Sequence, residues 1–159
     1  MTTSIRIQES DFSLAEEWET MRERVGGKAG AIVAFAGIVR DRTNDDSSIS
    51  TLFLEHYPGM TEASMQKILD KATIRWPIDD VVVVHRIGKL LPSDQIVLVI
   101  VASEHRSAAF DAGEFIMDFL KPQAVFWKKE TQIDGSATTE EWVHSRKDDY
   151  SRVEHWNKH

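Results

Sequence analysis

Between Phe119 and Lys129 the chain carries Lys121, Lys128 and Lys129 and no acid, a local charge of +3 in a protein whose formal charge is −7. Clustered amines can serve as nucleophiles, proton carriers or fixed charges. An amine of ordinary basicity, with a pKa of ~10.4, is neutral about once in a few thousand molecules at pH 7, so nucleophilic use requires a drop of roughly 2–3 units. A neighbouring cation and partial burial beside aromatic rings such as Phe126 and Trp127 both act in that direction, and the negative end of a helix acts against it. Read from spacing alone, the cluster is either such a site or a solvated lysine pair at an element boundary.

A second constellation is His105-Arg106-Ser107, placed where a strongly apolar run gives way to a helical pattern. Backbone N–H groups at a helix start attract anions, and an arginine there supplies a two-pronged clamp for phosphate. The bland alternative is a helix-start cap with an exposed arginine. Arg40 closes the apolar run that begins at Ala31 and can aim at the same anion, and Arg146 adds a weaker candidate in the charged C-terminal segment. Cysteine is absent, which excludes thiol nucleophiles, disulfides and thiolate metal sites. The six histidines form no ligand pair of the HExxH kind, so no metal site is expected. Gly26-Gly27-Lys28-Ala29-Gly30 lacks the spacing and the Ser or Thr of a phosphate loop and reads as a turn.

These residues need elements to hold them. Ile5 and Ile7 alternate as in a strand, and Leu14, Trp18, Met21 and Val25 follow a helical stripe with Ser13 and Glu16 spaced as a capping box. Ala31 to Val39 and Leu52 to Tyr57 read as strands around a polar loop, and Met65, Ile68, Leu69, Ala72 and Trp76 as a helix that Pro77 ends. Val81 to Val84 and Ile96 to Val101 are unbroken apolar strands of the kind covered on both faces, joined through the turn Leu91-Pro92-Ser93-Asp94. A third helix carries Phe110, Gly113, Met117 and Leu120 on one stripe and is expected to stop at Lys121, because a proline disfavours helix in the residue before it. Val125 to Glu130 reads as a strand with Phe126, Lys128 and Glu130 on one face. The pattern from Thr138 onward specifies no element. The class is therefore α+β, with a mixed or antiparallel sheet and packed helices in one domain over residues 1–159.

At 159 residues, 42% of them hydrophobic and 28% charged, the chain has room for one core. Its longest apolar run, Ile96 to Ala102, is far below the ~18 residues of a membrane span, and its N-terminus lacks the order of a secretory signal, so a cytoplasmic setting and no membrane partner are expected. The net negative charge argues against non-specific nucleic-acid binding.

Five blocks taken together carry a resemblance: Gly30 to Arg40, Leu54-Glu55-His56-Tyr57-Pro58-Gly59-Met60, His85-Arg86-Ile87-Gly88, Ser103-Glu104-His105-Arg106-Ser107 and Phe126-Trp127-Lys128-Lys129-Glu130. In this order the chain resembles the large, catalytic subunit of molybdopterin synthase from about residue 30 to 146. The resemblance implies an α/β-hammerhead fold and a homodimer of large subunits. It also implies a small β-grasp, ubiquitin-like partner whose C-terminal Gly-Gly thiocarboxylate enters the large subunit's pocket. It further implies transfer of two sulfurs to cyclic pyranopterin monophosphate (precursor Z) to form the dithiolene of molybdopterin, with no cofactor of its own. Carried over by position, Lys121 and Lys128 are the active-site lysines. Arg40, His105, Arg106 and Arg146 match anion- and pterin-binding positions, contributed from both subunits across the dimer. Phe35 and Met117 match pocket walls, and Glu130 a supporting carboxylate. Two departures stand out: Pro122 directly follows Lys121, where relatives place a proline just before the aromatic pair, and Asp41 follows Arg40 where Asn is common. A non-catalytic adaptor that binds a ubiquitin-like protein or a phosphorylated pterin is the alternative of a different class. A Schiff-base lysine enzyme acting on a small phosphorylated carbonyl compound is a third.

Overall fold

Twelve elements form the computed structural model, which describes residues 1–42, 48–124, 126–134, 137–143 and 147–158. In chain order they are β1 (Thr2–Gln8), α1 (Leu14–Val25), β2 (Ala31–Ile38), β3 (Ile49–His56), α2 (Met60–Arg75), β4 (Asp80–Arg86), β5 (Gly88–Leu90), β6 (Gln95–Ser103), α3 (Arg106–Gln123), β7 (Phe126–Asp134), β8 (Ala137–Val143) and α4 (Lys147–Asn157).

The two unbroken apolar runs become the middle of a four-stranded sheet in the order β1-β4-β6-β2. β1 lies parallel to β4 and the other pairs are antiparallel, so the sheet is mixed. Both faces are covered, as the lack of alternation requires. On one face Val81, Val83, Val97, Val99 and Val101 pack with α2 (Met65, Ile68, Leu69, Ala72) and α3 (Ala112, Phe115, Ile116, Phe119, Leu120). On the other, Val82, Val84, Leu98, Ile100 and Ala102 meet Phe12 and the α1 residues Met21 and Val25. The stripe of α1 is anchored at its start by Ser13, whose hydroxyl accepts from the Glu16 N–H at 3.3 Å. Gly26, with φ of 54°, closes the helix in a conformation open to glycine, which makes the glycine-rich stretch a turn.

A second, wholly antiparallel sheet has the order β5-β3-β7-β8. Its inner face is held by a small core of Val39, Leu52, Leu54 and Leu90, with Ile96 packed against it. Val39 is tied to the β5–β6 turn by two backbone bonds, Val39 N–H to Asp94 at 2.9 Å and Ser93 N–H to Val39 at 2.8 Å. The end of β2 is thus the hinge point between the sheets. Among the described residues no helix is long and apolar enough to cross a membrane.

Several sequence expectations change. α3 does not stop at Lys121 but continues to Gln123 with Pro122 inside its final turn. There the missing N–H forfeits only one bond, to the Asp118 carbonyl, and Ala124 N–H still closes on Leu120 at 3.2 Å. Phe110 is 61% exposed and does not belong to the buried stripe, which runs through Ala108, Ala109, Ala112, Phe115, Ile116, Phe119 and Leu120. The strand expected over Val125 to Glu130 runs on to Asp134 and is described from Phe126, Val125 lying outside the described residues. The segment from Thr138, for which the pattern specified no element, belongs to β8 and α4.

Gly30 sits where β2 starts, and its N–H donates to the Ser103 carbonyl at 3.1 Å. A Cβ there would lie 2.5 Å from the Glu104 carbonyl oxygen, a backbone atom that cannot swing away. Gly30→Ala is expected to cost roughly 1–3 kcal/mol in urea unfolding. Gly113→Ala, whose Cβ would meet Val33 at 3.8 Å and Val101 at 3.9 Å in ordinary contact, should be tolerated far better.

Candidate functional site

The lysine cluster flanks the junction between α3 and β7. Lys121 projects from the last turn of the helix and its side chain is 61% exposed, while Lys128, the third residue of β7, is 38% exposed. Each amine faces a carboxylate. Lys121 Nζ lies 3.5 Å from Asp149 Oδ1 of α4, and Lys128 Nζ lies 3.2 Å from Glu130 Oε1. The second contact follows from strand geometry, since residues two apart share a face, as the sequence pattern predicts. Glu130 is buried, and its backbone partners are Leu52 on β3 and Glu141 on β8. Lys129 points to the opposite face and pairs with Glu140 at 2.7 Å.

Register places three more candidates. Val33 faces Gly113 of α3, and Phe35, two residues further on, lies on that same face of β2. α3 follows β6, which is antiparallel to β2, so the helix runs back in the direction of β2. One helical turn beyond Gly113 is Met117, packed at the margin of the core. Phe35, 44% exposed, and Met117 therefore occupy the same level of the same flank. Continuing in that direction, exposed Arg40 lies two residues past the end of β2, and Lys121 lies in the last turn of α3. Arg40 directly follows Val39, whose core neighbours Leu52 and Leu54 are the register partners of Glu130 and Lys128. The segments that carry Phe35, Arg40, Met117, Lys121, Lys128 and Glu130 thus converge on one corner of the fold, where the two sheets meet the end of α3.

His105 and Arg106 do not join them within the chain. They open α3, with His105 as the N-cap residue and no side-chain cap bond. Arg106 and Lys121 are 15 positions apart on one helix, a separation of about 22 Å at 1.5 Å per residue. The helix start is otherwise as expected: His105, Arg106 and Ser107 are exposed, and no acid occupies the first turn. Arg146 lies outside the described residues.

One anchor of the junction was not legible in the sequence. The His85 ring of β4 stacks on Phe126 with centroids 3.9 Å apart, at the first residue of β7. Its Nδ1 lies 2.8 Å from the Arg86 carbonyl, which fixes that nitrogen as the donor, and burial pushes its pKa down to about 4. A neutral imidazole therefore packs against the strand that carries Lys128. Asp149 was likewise missed, although Val153 and Trp156, at i+4 and i+7 from it, carry the helical spacing that would have placed it.

The family model described as MoaE protein matches residues 7–123, well over half of the chain. The chain belongs to the MoaE family. The molybdopterin synthase catalytic subunit of Vibrio cholerae is 49% identical over 156 residues, which span 98% of this chain and 99% of that relative. The solved structure of a molybdopterin biosynthesis MoaE protein from Burkholderia ambifaria is 46% identical and superimposes with a TM-score of 0.81, covering 98% of this chain and 99% of the other. A molybdopterin synthase structure from Staphylococcus aureus, 33% identical, gives a TM-score of 0.74 over 87% of this chain and 95% of its own. In this MoaE-family chain the model match takes in Arg40, Met117 and Lys121 and stops before Lys128 and Glu130. The full-length relatives extend the likeness across β7.

The displaced titration of His85 gives a pH signature. Between about pH 6.5 and 4 the unfolded chain takes up a proton at this site and the folded chain does not. Stability should therefore fall as the pH drops through that window, and the slope should diminish in His85→Gln. Urea unfolding at several pH values, with the imidazole resonance followed by NMR, measures both.

Proposed function

We propose that this chain is the large, catalytic subunit of a molybdopterin synthase. In this reading it moves two sulfurs, one after the other, from the C-terminal thiocarboxylate of a small ubiquitin-like subunit to cyclic pyranopterin monophosphate. In each transfer the thiocarboxylate sulfur forms a carbon–sulfur bond on the pterin side chain as a carbon–oxygen bond at that carbon breaks, its oxygen leaving as water or on the phosphate. Hydrolysis of the acyl–sulfur bond then leaves the sulfur on the pterin and returns the small subunit as a carboxylate. Family membership along nearly the whole chain supports the reading. The local observation that carries it is the placement of Lys121 and Lys128 on the two sides of one junction, each against a carboxylate.

The roles follow from charge and position. Lys121 and Lys128 stabilise the thiocarboxylate and the negative charge that develops as sulfur attacks, and one of them relays the proton. Glu130 orients Lys128. Arg40 faces the anionic part of the substrate, and Phe35 and Met117 form the wall beside it. The chain supplies no thiol because sulfur arrives on the partner. His105 and Arg106, about 22 Å from Lys121 on one helix, serve the site of a second copy: the start of α3 in one protomer completes the corner of the other with an arginine and helix N–H groups suited to phosphate. A homodimer with two shared sites and a small subunit at each satisfies both sets of residues.

Lys121→Ala and Lys128→Ala should fold normally yet lose at least about 100-fold in product formation with thiocarboxylated small subunit and precursor, in the range expected for lost charge stabilisation and proton transfer. Wild-type rates in both variants would remove the mechanism, and binding without conversion by the wild-type chain would identify an adaptor. Mixing Lys128→Ala chains with Arg106→Ala chains should restore about a quarter of wild-type activity, because random pairing leaves one intact shared site in half of the dimers. No restoration would place both residues in the same protomer's site.

A further inference from the structure

α4 is set on α3 by a pattern of charges. Asp149, Arg152, Val153 and Trp156 fall at i, i+3, i+4 and i+7, one face of the helix. Opposite them α3 presents Glu114, Asp118 and Lys121, at i, i+4 and i+7. The signs complement one another in antiparallel order. Arg152 pairs with Glu114 and, at 3.1 Å, with Asp118, while Asp149 meets Lys121. Trp156 Nε1 donates to Asp118 at 2.8 Å, and its ring lies edge-on to Trp76 and Phe115 at 5.5 and 5.6 Å. Arg75 of α2 donates to the Trp156 carbonyl at 2.9 Å, and Val153 is buried beneath. The far end of α4 is thus fixed by aromatic packing and several polar contacts, and its first turn is thereby held over the end of α3.

We propose that Asp149 is a positioning residue for Lys121, holding its ammonium at the corner shared with Lys128, as Glu130 holds Lys128. The proposal rests on the function read above for that corner. Three observations favour orientation over a casual surface pair. Asp149 is itself only 16% exposed whereas Lys121 is 61% exposed, so the acid is the enclosed member and the amine the one that reaches into solvent. The helix that carries Asp149 is fastened independently of the pair. Lys121 leads directly into Pro122, so the chain beyond it supplies no N–H at that point to steady the last turn. A four-carbon side chain leaving such a turn has many rotamers, and a fixed carboxylate selects among them without touching substrate.

The experiment compares wild type, Asp149→Asn, Asp149→Glu and Asp148→Asn, all full-length and assembled with thiocarboxylated small subunit, at saturating and limiting precursor. Asp149→Asn should lower kcat about ten-fold, equivalent to about 1.4 kcal/mol, with the KM for precursor within about two-fold of wild type. Asp149→Glu should recover kcat to within about three-fold. Asp148→Asn, the same charge change at an exposed neighbouring position, should leave kcat unaltered. A wild-type kcat in Asp149→Asn overturns the proposal, and so does an Asp149→Glu variant as slow as the Asn form. If Asn also loosens α4, seen as a changed near-UV circular dichroism of the Trp76–Trp156 pair, recovery by Glu still decides between the two. An inactive wild-type complex would be a failure of the functional reading instead. The positioning claim is then judged by the 15N signal of the Lys121 ammonium, which should broaden in Asp149→Asn, and an unchanged signal overturns it.

Discussion

The structure depends on the need to cover β4 and β6 from both sides. These strands have no polar face, so a helix layer on either surface of the sheet is the only arrangement that removes Val81 to Val84 and Val97 to Ala102 from water. Burying side chains of this size is worth roughly 1.5–3 kcal/mol each, and most other placements in the chain follow from it. α3 must lie along β6 and β2 with Ala112, Phe115, Ile116 and Phe119 inward, and that orientation sends Lys121 to the end of the sheet where β2 also terminates. The candidate site is thus a by-product of where a covered strand pair obliges its helix to run.

The second sheet adds what the first cannot. Among the described residues its core has four buried members, Val39, Leu52, Leu54 and Leu90, and one of these belongs to the segment leaving β2. That shared residue ties the two sheets at the point where Arg40 emerges and where Lys128 and Glu130 stand opposite Leu54 and Leu52. His85 reinforces the same junction from the first sheet, through its stack on Phe126. A small core and one aromatic stack are sufficient because β7 is also paired on both sides, to β3 and to β8.

Much of this was legible in the residues. Apolar runs without alternation identify the central strands, and the stripes of α1 and α2 give helices whose buried members include Met21, Met65, Ile68 and Leu69. Alternation along β7 places Lys128 with Glu130, and the position of His105-Arg106 marks a helix start. The local rule about Pro122 failed, because packing of Phe119 and Leu120 holds the last turn together despite the lost bond. The division into two sheets was not legible, since strand pairing is decided by contacts distant in sequence, such as Leu54 with Lys128. Nor was the role of the C-terminal helix: its charges specify no element until the matching charges of α3, 28 to 38 positions away, are set beside them. The distance between Arg106 and Lys121 could have been computed from helix rise alone, yet it acquires meaning only when both are assigned to one reaction.

β2 forms the edge of the mixed sheet, and Ala34, Phe35, Ala36 and Ile38 along it are exposed. Among the described residues, the side of this strand away from β6 meets no other strand. Such a border offers a ladder of amide groups and greasy side chains to any extended polypeptide that drifts past. Left uncovered, such a border makes strand addition between copies the route by which a concentrated solution of this chain would self-associate, so whatever lies along β2 protects solubility as well as shape.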